Sequence, residues 1–367
     1  MKKHSRLRRG FALAAVAAAV AVLVAACGSS EPVSAPSASG PAASADTILG
    51  AGASFPAPLY SKWGSEYNGV TGIKLNYQSI GSGGGISAIK AKTVDFGASD
   101  APLEQAELEA DGLVQFPMVV GGVVPVVNLK GVADGQLKLT PEALAGIFMG
   151  TVKQWNDKAI ADANAGLELP ESTINVVHRS DGSGTTWIFT NYLTAAAGEV
   201  WTAGADKEIA WPVGVGGKGN EGVAASVQQL SGSIGYVEYA YAKQTGMATA
   251  QLQNKDGAWV KPSIESFSSA AANADWQASL PSMALVLVDQ PGEQTWPITG
   301  ASFILMHKEQ AEAARGKMLL EYFDWCYRNG AAAATELDYV AIPSNVYELV
   351  QAQVWPTIVS GGSPVWP

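Results

Sequence analysis

The sequence predicts an α/β fold with helices covering mixed sheets, and three observations carry that prediction. Apolar runs of strand length alternate along the chain with stretches of helical periodicity. Apolar residues are 47 % of the 367-residue chain and charged residues only 15 %, which suits a large buried core. The body from residue 47 onward, about 320 residues, exceeds the usual single-domain size and predicts two domains.

Each element has its own signal. Ile73, Leu75 and Tyr77 alternate with polar residues at period two, and residues 94–98 form a second strand candidate. Residues 119–127, 174–177, 234–237 and 303–306 are further apolar runs of strand length. Helices fit between them. Leu59, Trp63 and Tyr67 fall on one face at a spacing of four. Thr140-Pro141-Glu142 opens another helix, with a hydroxyl to cap the first turn and a proline where no N–H is needed. Residues 185–195, 223–230, 317–325 and 344–351 complete the helical set.

The start of the chain predicts export. Lys2, Lys3, Arg6, Arg8 and Arg9 form a basic segment, residues 11–26 carry no charge, and Val24-Ala25-Ala26-Cys27 places small residues before a cysteine. The apolar run falls short of the roughly 20 residues that a permanent membrane helix needs. A cysteine at that junction resembles a bacterial lipobox, so Cys27 is expected to carry lipid and anchor the protein to the cell membrane on its extracytoplasmic side. Residues 28–46, rich in Ser, Ala, Pro and Gly, read as a flexible tether with a reach of about 25 Å. No later run of apolar residues is long enough to span a bilayer, which predicts a soluble body. Cys326 has no partner for an intrachain disulfide and sits in an apolar helical pattern, so it is expected to be a buried hydrophobe.

The formal charge is −10. Without the five basic residues of the leader, eighteen Lys/Arg stand against thirty-three Asp/Glu, a charge of −15. That surface argues against nucleic acid as a partner, and any anion must be captured by a local site.

Such a site is foreshadowed where strands should give way to helices. Four stretches stand there: Gly50-Ala51-Gly52-Ala53-Ser54-Phe55-Pro56, Ile80-Gly81-Ser82-Gly83-Gly84-Gly85, Gly97-Ala98-Ser99-Asp100 and His178-Arg179-Ser180-Asp181-Gly182-Ser183-Gly184-Thr185. Glycine and serine let backbone N–H groups turn inward as an anion nest, and the following helix adds the positive end of its dipole. Arg179 is the cation embedded in such a loop, and its guanidinium can give two parallel hydrogen bonds to a tetrahedral oxyanion. Asp100 and Asp181 look wrong for an anion site unless the anion carries a proton. A carboxylate only accepts, so it pairs with P–OH and repels a fully ionised oxyanion, which favours phosphate over sulfate. Asp100 can alternatively cap a helix opening at Ala101-Pro102-Leu103.

These stretches resemble the periplasmic phosphate-binding protein of the phosphate-specific (Pst) ABC transport system. The likeness runs through Gly50-Ala-Gly-Ala-Ser-Phe-Pro-Ala-Pro58, Thr93-Val-Asp-Phe-Gly-Ala-Ser-Asp-Ala-Pro102, Asp181-Gly-Ser-Gly-Thr185, Gly214-Val-Gly-Gly-Lys-Gly-Asn220 and Ile234-Gly-Tyr-Val-Glu-Tyr-Ala-Tyr-Ala-Lys243. It implies a two-lobed type II periplasmic-binding-protein fold with the ligand cleft between the domains, residues 47–123 plus 297–367 forming one and 124–296 the other. It implies inorganic phosphate held by Ser54 with the backbone of Ala53 and Phe55, by Ser82, and by Arg179 braced by Asp181. Ser183, Gly184 and Thr185 would donate at a helix N-terminus, and Asp100 would accept the phosphate proton. His178 stands where a relative can have a second arginine, so no role is carried to it. The implied partners are the membrane subunits of an ABC transporter with their ATPase, reached by a monomeric receptor that needs no cofactor or metal and catalyses nothing.

Other readings fit less well. Gly214-x-Gly216-x-x-Gly219 matches a dinucleotide fingerprint, yet Trp211-Pro212 interrupts the strand that should lead into it, and Gly219 follows Lys218 where a P-loop needs Ser or Thr. A secreted phosphate-ester hydrolase wants clustered metal ligands or a nucleophile elbow; His178 and His307 are far apart and no G-x-S-x-G occurs. A receptor for another oxyanion such as sulfate leaves the two aspartates unused.

Overall fold

The computed structural model describes residues 46–366. The leader, Cys27 and all but the last residue of the tether lie outside the described residues. The body opens with β1 (Thr47–Gly52), α1 (Ala57–Thr71), β2 (Lys74–Ser79), α2 (Ser82–Lys90), β3 (Phe96–Ser99) and α3 (Gln105–Asp111). A long strand follows, β4 (Leu113–Asn128). After it come β5 (Lys138–Leu139), α4 (Pro141–Met149), α5 (Lys158–Ala161), β6 (Asn175–Arg179), α6 (Gly184–Ala197), β7 (Val215–Gly217), α7 (Gly219–Gln229), β8 (Ser233–Glu238) and α8 (Tyr239–Thr245). The chain continues through β9 (Ala248–Thr249), β10 (Gln251–Gln253), β11 (Trp259–Val260) and α9 (Ile264–Ala271). It returns with β12 (Thr299–His307), α10 (Ala313–Asn329), α11 (Ala331–Glu336), β13 (Val340–Ala341) and α12 (Ser344–Leu349).

Local chemistry explains these elements. In α1 the predicted stripe of Leu59, Trp63 and Tyr67 is buried, and Gly72 closes the helix in the left-handed conformation with its N–H on Asn68 O. Thr140 caps α4 by accepting from Ala143 N at 3.1 Å, with Pro141 at the first helical position. Cys326 is buried in α10, and burial pushes its thiol up from the ordinary range. Among the described residues no helix is long and apolar enough to cross a membrane.

The sheet is mixed, as predicted, with the order β2-β1-β3-β12-β4-β8-β6-β7. Strands β1, β2 and β3 run parallel, and β6 runs parallel to β7 and to β8. β4 holds the two sets together. Its first part pairs antiparallel with β12, up to Gly122 opposite Thr299, and its last part with β8, from Val123 opposite Glu238. Register then fixes where loops gather. β3 ends at Ser99, opposite Phe303, which lies opposite Pro117; β8 ends at Glu238, opposite Val123. The carboxyl ends of both parallel sets therefore point at the middle of β4, where ligands of open α/β sheets bind.

Two strands that lead to the loops differ from expectation. The stretch predicted as a loop from Gly50 begins inside β1, because glycine there answers a close approach and not a turn: a Cβ on Gly50 would sit 2.2 Å from the Phe96 ring. Strand β4 starts six residues before the predicted one, running through Pro117, where the register against β12 shifts in a bulge that tolerates a missing N–H.

Candidate functional site

All four predicted loops reach the middle of β4, and a fifth junction joins them. The first loop, between β1 and α1, has its carbonyls tied by three tyrosines: Tyr77 donates to Ala53 O at 2.7 Å, Tyr241 to Ser54 O at 2.6 Å and Tyr339 to Phe55 O at 2.7 Å. The N–H groups of Ser54 and Phe55 meet no acceptor among the described residues, whereas the N–H of Ala53 is engaged by Ala98 O at 2.9 Å. Ala53 thus frames the loop and is not a donor as predicted.

Ser82 opens α2. Its Oγ accepts from Asp100 N at 3.2 Å and from Gly184 N at 3.0 Å, which brings the second, third and fourth loops together. The fit needs glycine: a Cβ on Gly184 would lie 2.5 Å from Ser82 Oγ and 2.6 Å from Asp100 Oδ2. Beside it Gly83 N donates to Gly182 O at 2.8 Å.

Asp100 is 1 % exposed, and its Oδ1 has no hydrogen-bond partner among the described residues. Burial raises its pKa to about 7, against the pull of Ser302, the Arg179 charge and Ser82. Ser302 Oγ acts from nearby, without meeting hydrogen-bond geometry to any partner. The capping alternative does not hold, because α3 is capped by Glu104, four residues on. A buried carboxylate oxygen with no partner is costly and marks a place where a donor is wanted.

Arg179 ends β6 with its side chain 1 % exposed. Nε donates to Asp181 Oδ1 at 2.8 Å, Nη2 donates to Asp181 Oδ2, and Nη1 donates to Thr185 Oγ1 at 3.2 Å. That leaves one N–H on each terminal nitrogen for another acceptor. Burial pushes Asp181 upward, but the hydrogen bonds and charge of Arg179, with the Gly219 N–H at 3.0 Å, more than offset it and hold the carboxyl below its usual range. Asp181 is therefore the ionised brace. Ser183 caps α6, accepting from Thr186 N at 3.0 Å, while its own N–H is engaged by Lys207 O, so of its two donors only the hydroxyl is left. His178 turns away: its ring stacks on Trp211 at 4.9 Å, and Nδ1 lies 2.9 Å from Arg179 O.

The fifth junction, from β7 to α7, was not singled out by sequence reasoning. Asn220 is fully buried there; Nδ2 donates to Ser54 Oγ at 2.9 Å and to Thr185 Oγ1 at 3.2 Å, and Oδ1 accepts from Glu238 N at 3.0 Å. The only signal was its place at the end of the Gly214–Asn220 run. That run is not a dinucleotide loop, since Gly214 precedes β7 and Gly216 lies within it.

Together the loops set three hydroxyls, a buried guanidinium and two free N–H groups around one buried carboxylate. A cleft of about 340 Å³ lined by His178, Arg179, Asp181, Lys207 and Trp211 opens beside them. A larger hollow of about 610 Å³ between α1 and β2 holds no comparable cluster, so chemistry and not size marks the site.

The sequence profile described as PBP superfamily domain matches residues 37–329. The chain is 55 % identical over 326 residues to the phosphate-binding protein PstS of Pasteurella multocida, covering 88 % of this chain and 94 % of that one. It is 52 % identical to that of Haemophilus influenzae, covering 86 % and 95 %. Its fold is similar to a high affinity periplasmic phosphate-binding protein bound with phosphate (TM-score 0.70, 23 % identity, 83 % of this chain and 93 % of that one). The phosphate-binding protein of Stenotrophomonas maltophilia is also similar (TM-score 0.65, 21 % identity, 87 % and 97 %). With this fold, these matches and this arrangement of loops, the chain belongs to the PBP superfamily and, within it, to the family of the phosphate-binding proteins PstS.

Proposed function

We propose that this chain is the extracytoplasmic receptor of a phosphate importer, binding inorganic phosphate and handing it to the membrane subunits of an ABC transporter whose ATPase drives uptake. One observation carries the reading: donors converge from five loops on a site where the buried carboxylate of Asp100 has an oxygen without a partner among the described residues. The hydroxyls of Ser54, Ser82 and Thr185, the free N–H groups of Arg179 and those of Ser54 and Phe55 would grip phosphate oxygens. Asp100 would accept the proton that phosphate keeps near neutral pH and sulfate lacks. Relatives named for phosphate binding support the same ligand.

The proposed lobes are residues 47–123 plus 297–367 and residues 124–296. The bonds from Gly184 N to Ser82, Asn220 to Ser54 and Gly83 to Gly182 would then cross the cleft and favour its closed state. Closure would give the transporter a shape to recognise. A lipid on Cys27 and the tether behind it would keep a monomeric body near the membrane.

Calorimetric titration of the body with phosphate, together with an assay on a phosphate monoester, tests this. Saturable one-site phosphate binding without ester hydrolysis is expected. Catalytic turnover of the ester, or no heat with phosphate, would contradict it.

A further inference from the structure

We infer that Asn220 is a positioning residue of the anion site, fixing Ser54 and Thr185 as hydrogen-bond donors. The inference rests on the phosphate-binding reading above and adds a residue that reading does not use.

A hydroxyl has one hydrogen and two lone pairs, and in a mobile side chain it presents either to a ligand. Here the choice is removed. Ser54 Oγ accepts from Asn220 N at 3.1 Å and from Asn220 Nδ2 at 2.9 Å, so both lone pairs are filled. Thr185 Oγ1 accepts from Asn220 Nδ2 at 3.2 Å and from Arg179 Nη1 at 3.2 Å, with the same result. The amide cannot flip without cost. Its Oδ1 accepts from Glu238 N at 3.0 Å, and exchanging oxygen for nitrogen would set two donors face to face. Each hydroxyl is left one role, which is to donate. An oxyanion needs that polarity, since a lone pair turned toward it repels.

Ser82 provides an internal control. Its lone pairs are filled by the backbone N–H groups of Asp100 and Gly184, and its hydrogen faces Asp100 Oδ2 at 3.5 Å, so its polarity is set without Asn220. The test is therefore a pair of double-mutant cycles for phosphate affinity, Asn220 against Thr185→Val and Asn220 against Ser82→Ala. Asn220→Ala should weaken phosphate about tenfold or more in the wild-type background, the scale of a charge-assisted hydrogen bond. The loss should shrink with Thr185→Val to the share carried by the Ser54 contact, and persist in full with Ser82→Ala. Asn220→Ser, too short to reach both hydroxyls, repeats the cycles if the alanine variant is poorly folded.

A spectroscopic signature separates polarity from packing. In the wild-type complex the Thr185 and Ser82 hydroxyl protons should show coupling to ³¹P through their hydrogen bonds. In the Asn220 variant only the Ser82 signal should survive. Equal losses in both backgrounds, or a Thr185 signal that persists, would overturn the proposal. If Thr185→Val alone leaves phosphate binding intact, the site reading falls and this inference with it.

Discussion

A guanidinium that is 1 % exposed needs a counter-charge, and Asp181 supplies it through two hydrogen bonds. The pair leaves a local positive field with fixed geometry, because planarity ties the free N–H groups to those already engaged. Arg179→Lys keeps the charge but loses that fork, so phosphate affinity should fall about tenfold or more on a folded protein. Calorimetry reads the fall, and unchanged affinity would place the anion elsewhere. Arg179, Asp181, Ser82 and Asp100 were legible in the sequence because charges and hydroxyls in glycine-rich loops have an evident chemistry. Asn220 was not, since an uncharged amide reveals itself only through partners 166 and 35 residues away. Nor could the sequence tell which N–H groups the fold would engage; Ala53 and Ser183 lost theirs to carbonyls of other segments.

At the scale of elements, β4 does most to build the site, since pairing β12 along one part and β8 along the other turns two parallel sets toward one place. Strand-length apolar runs announced β4, β8 and β12, but their register could not be read from any one of them. Strand β1 was hidden because two of its six residues are glycine, the usual punctuation of turns. The end of β8 carries a testable group. Glu238 is fully buried; its Oε2 accepts from Ala240 N and lies 2.8 Å from the Tyr339 hydroxyl oxygen, and its Oε1 has no partner among the described residues. Burial pushes its pKa well above the ordinary carboxylate value, so the folded protein holds a proton that the unfolded chain releases. Its stabilising share is then full below the ordinary carboxylate range and lost as pH rises through the raised value. Glu238→Gln has no such proton, so stability should fall less steeply with rising pH, by up to about 1.4 kcal/mol per pH unit. Thermal melts from acid to mildly alkaline pH check this, and parallel slopes for the two proteins would refute it.

For the whole molecule, a charge of −15 on the expected mature chain repels phosphate at a distance, so capture must be local. The same chain is expected to stay at the membrane by its N-terminus alone. Cys27→Ala should leave binding intact and shift the protein from the membrane fraction to the soluble one. Continued membrane association, with no lipid on wild-type Cys27 by mass spectrometry, would refute the anchor. The central claim is that one buried carboxylate makes the closed cleft select a protonated oxyanion. The measurement that tests it most directly is the phosphate-to-sulfate affinity ratio of wild type and Asp100→Asn. Both proteins should be titrated at about pH 8, where Asp100, raised to about 7, is mostly ionised. Asparagine can donate where aspartate only accepts, so sulfate should gain on phosphate and the ratio should fall, whatever happens to phosphate affinity itself. An unchanged ratio would contradict the account.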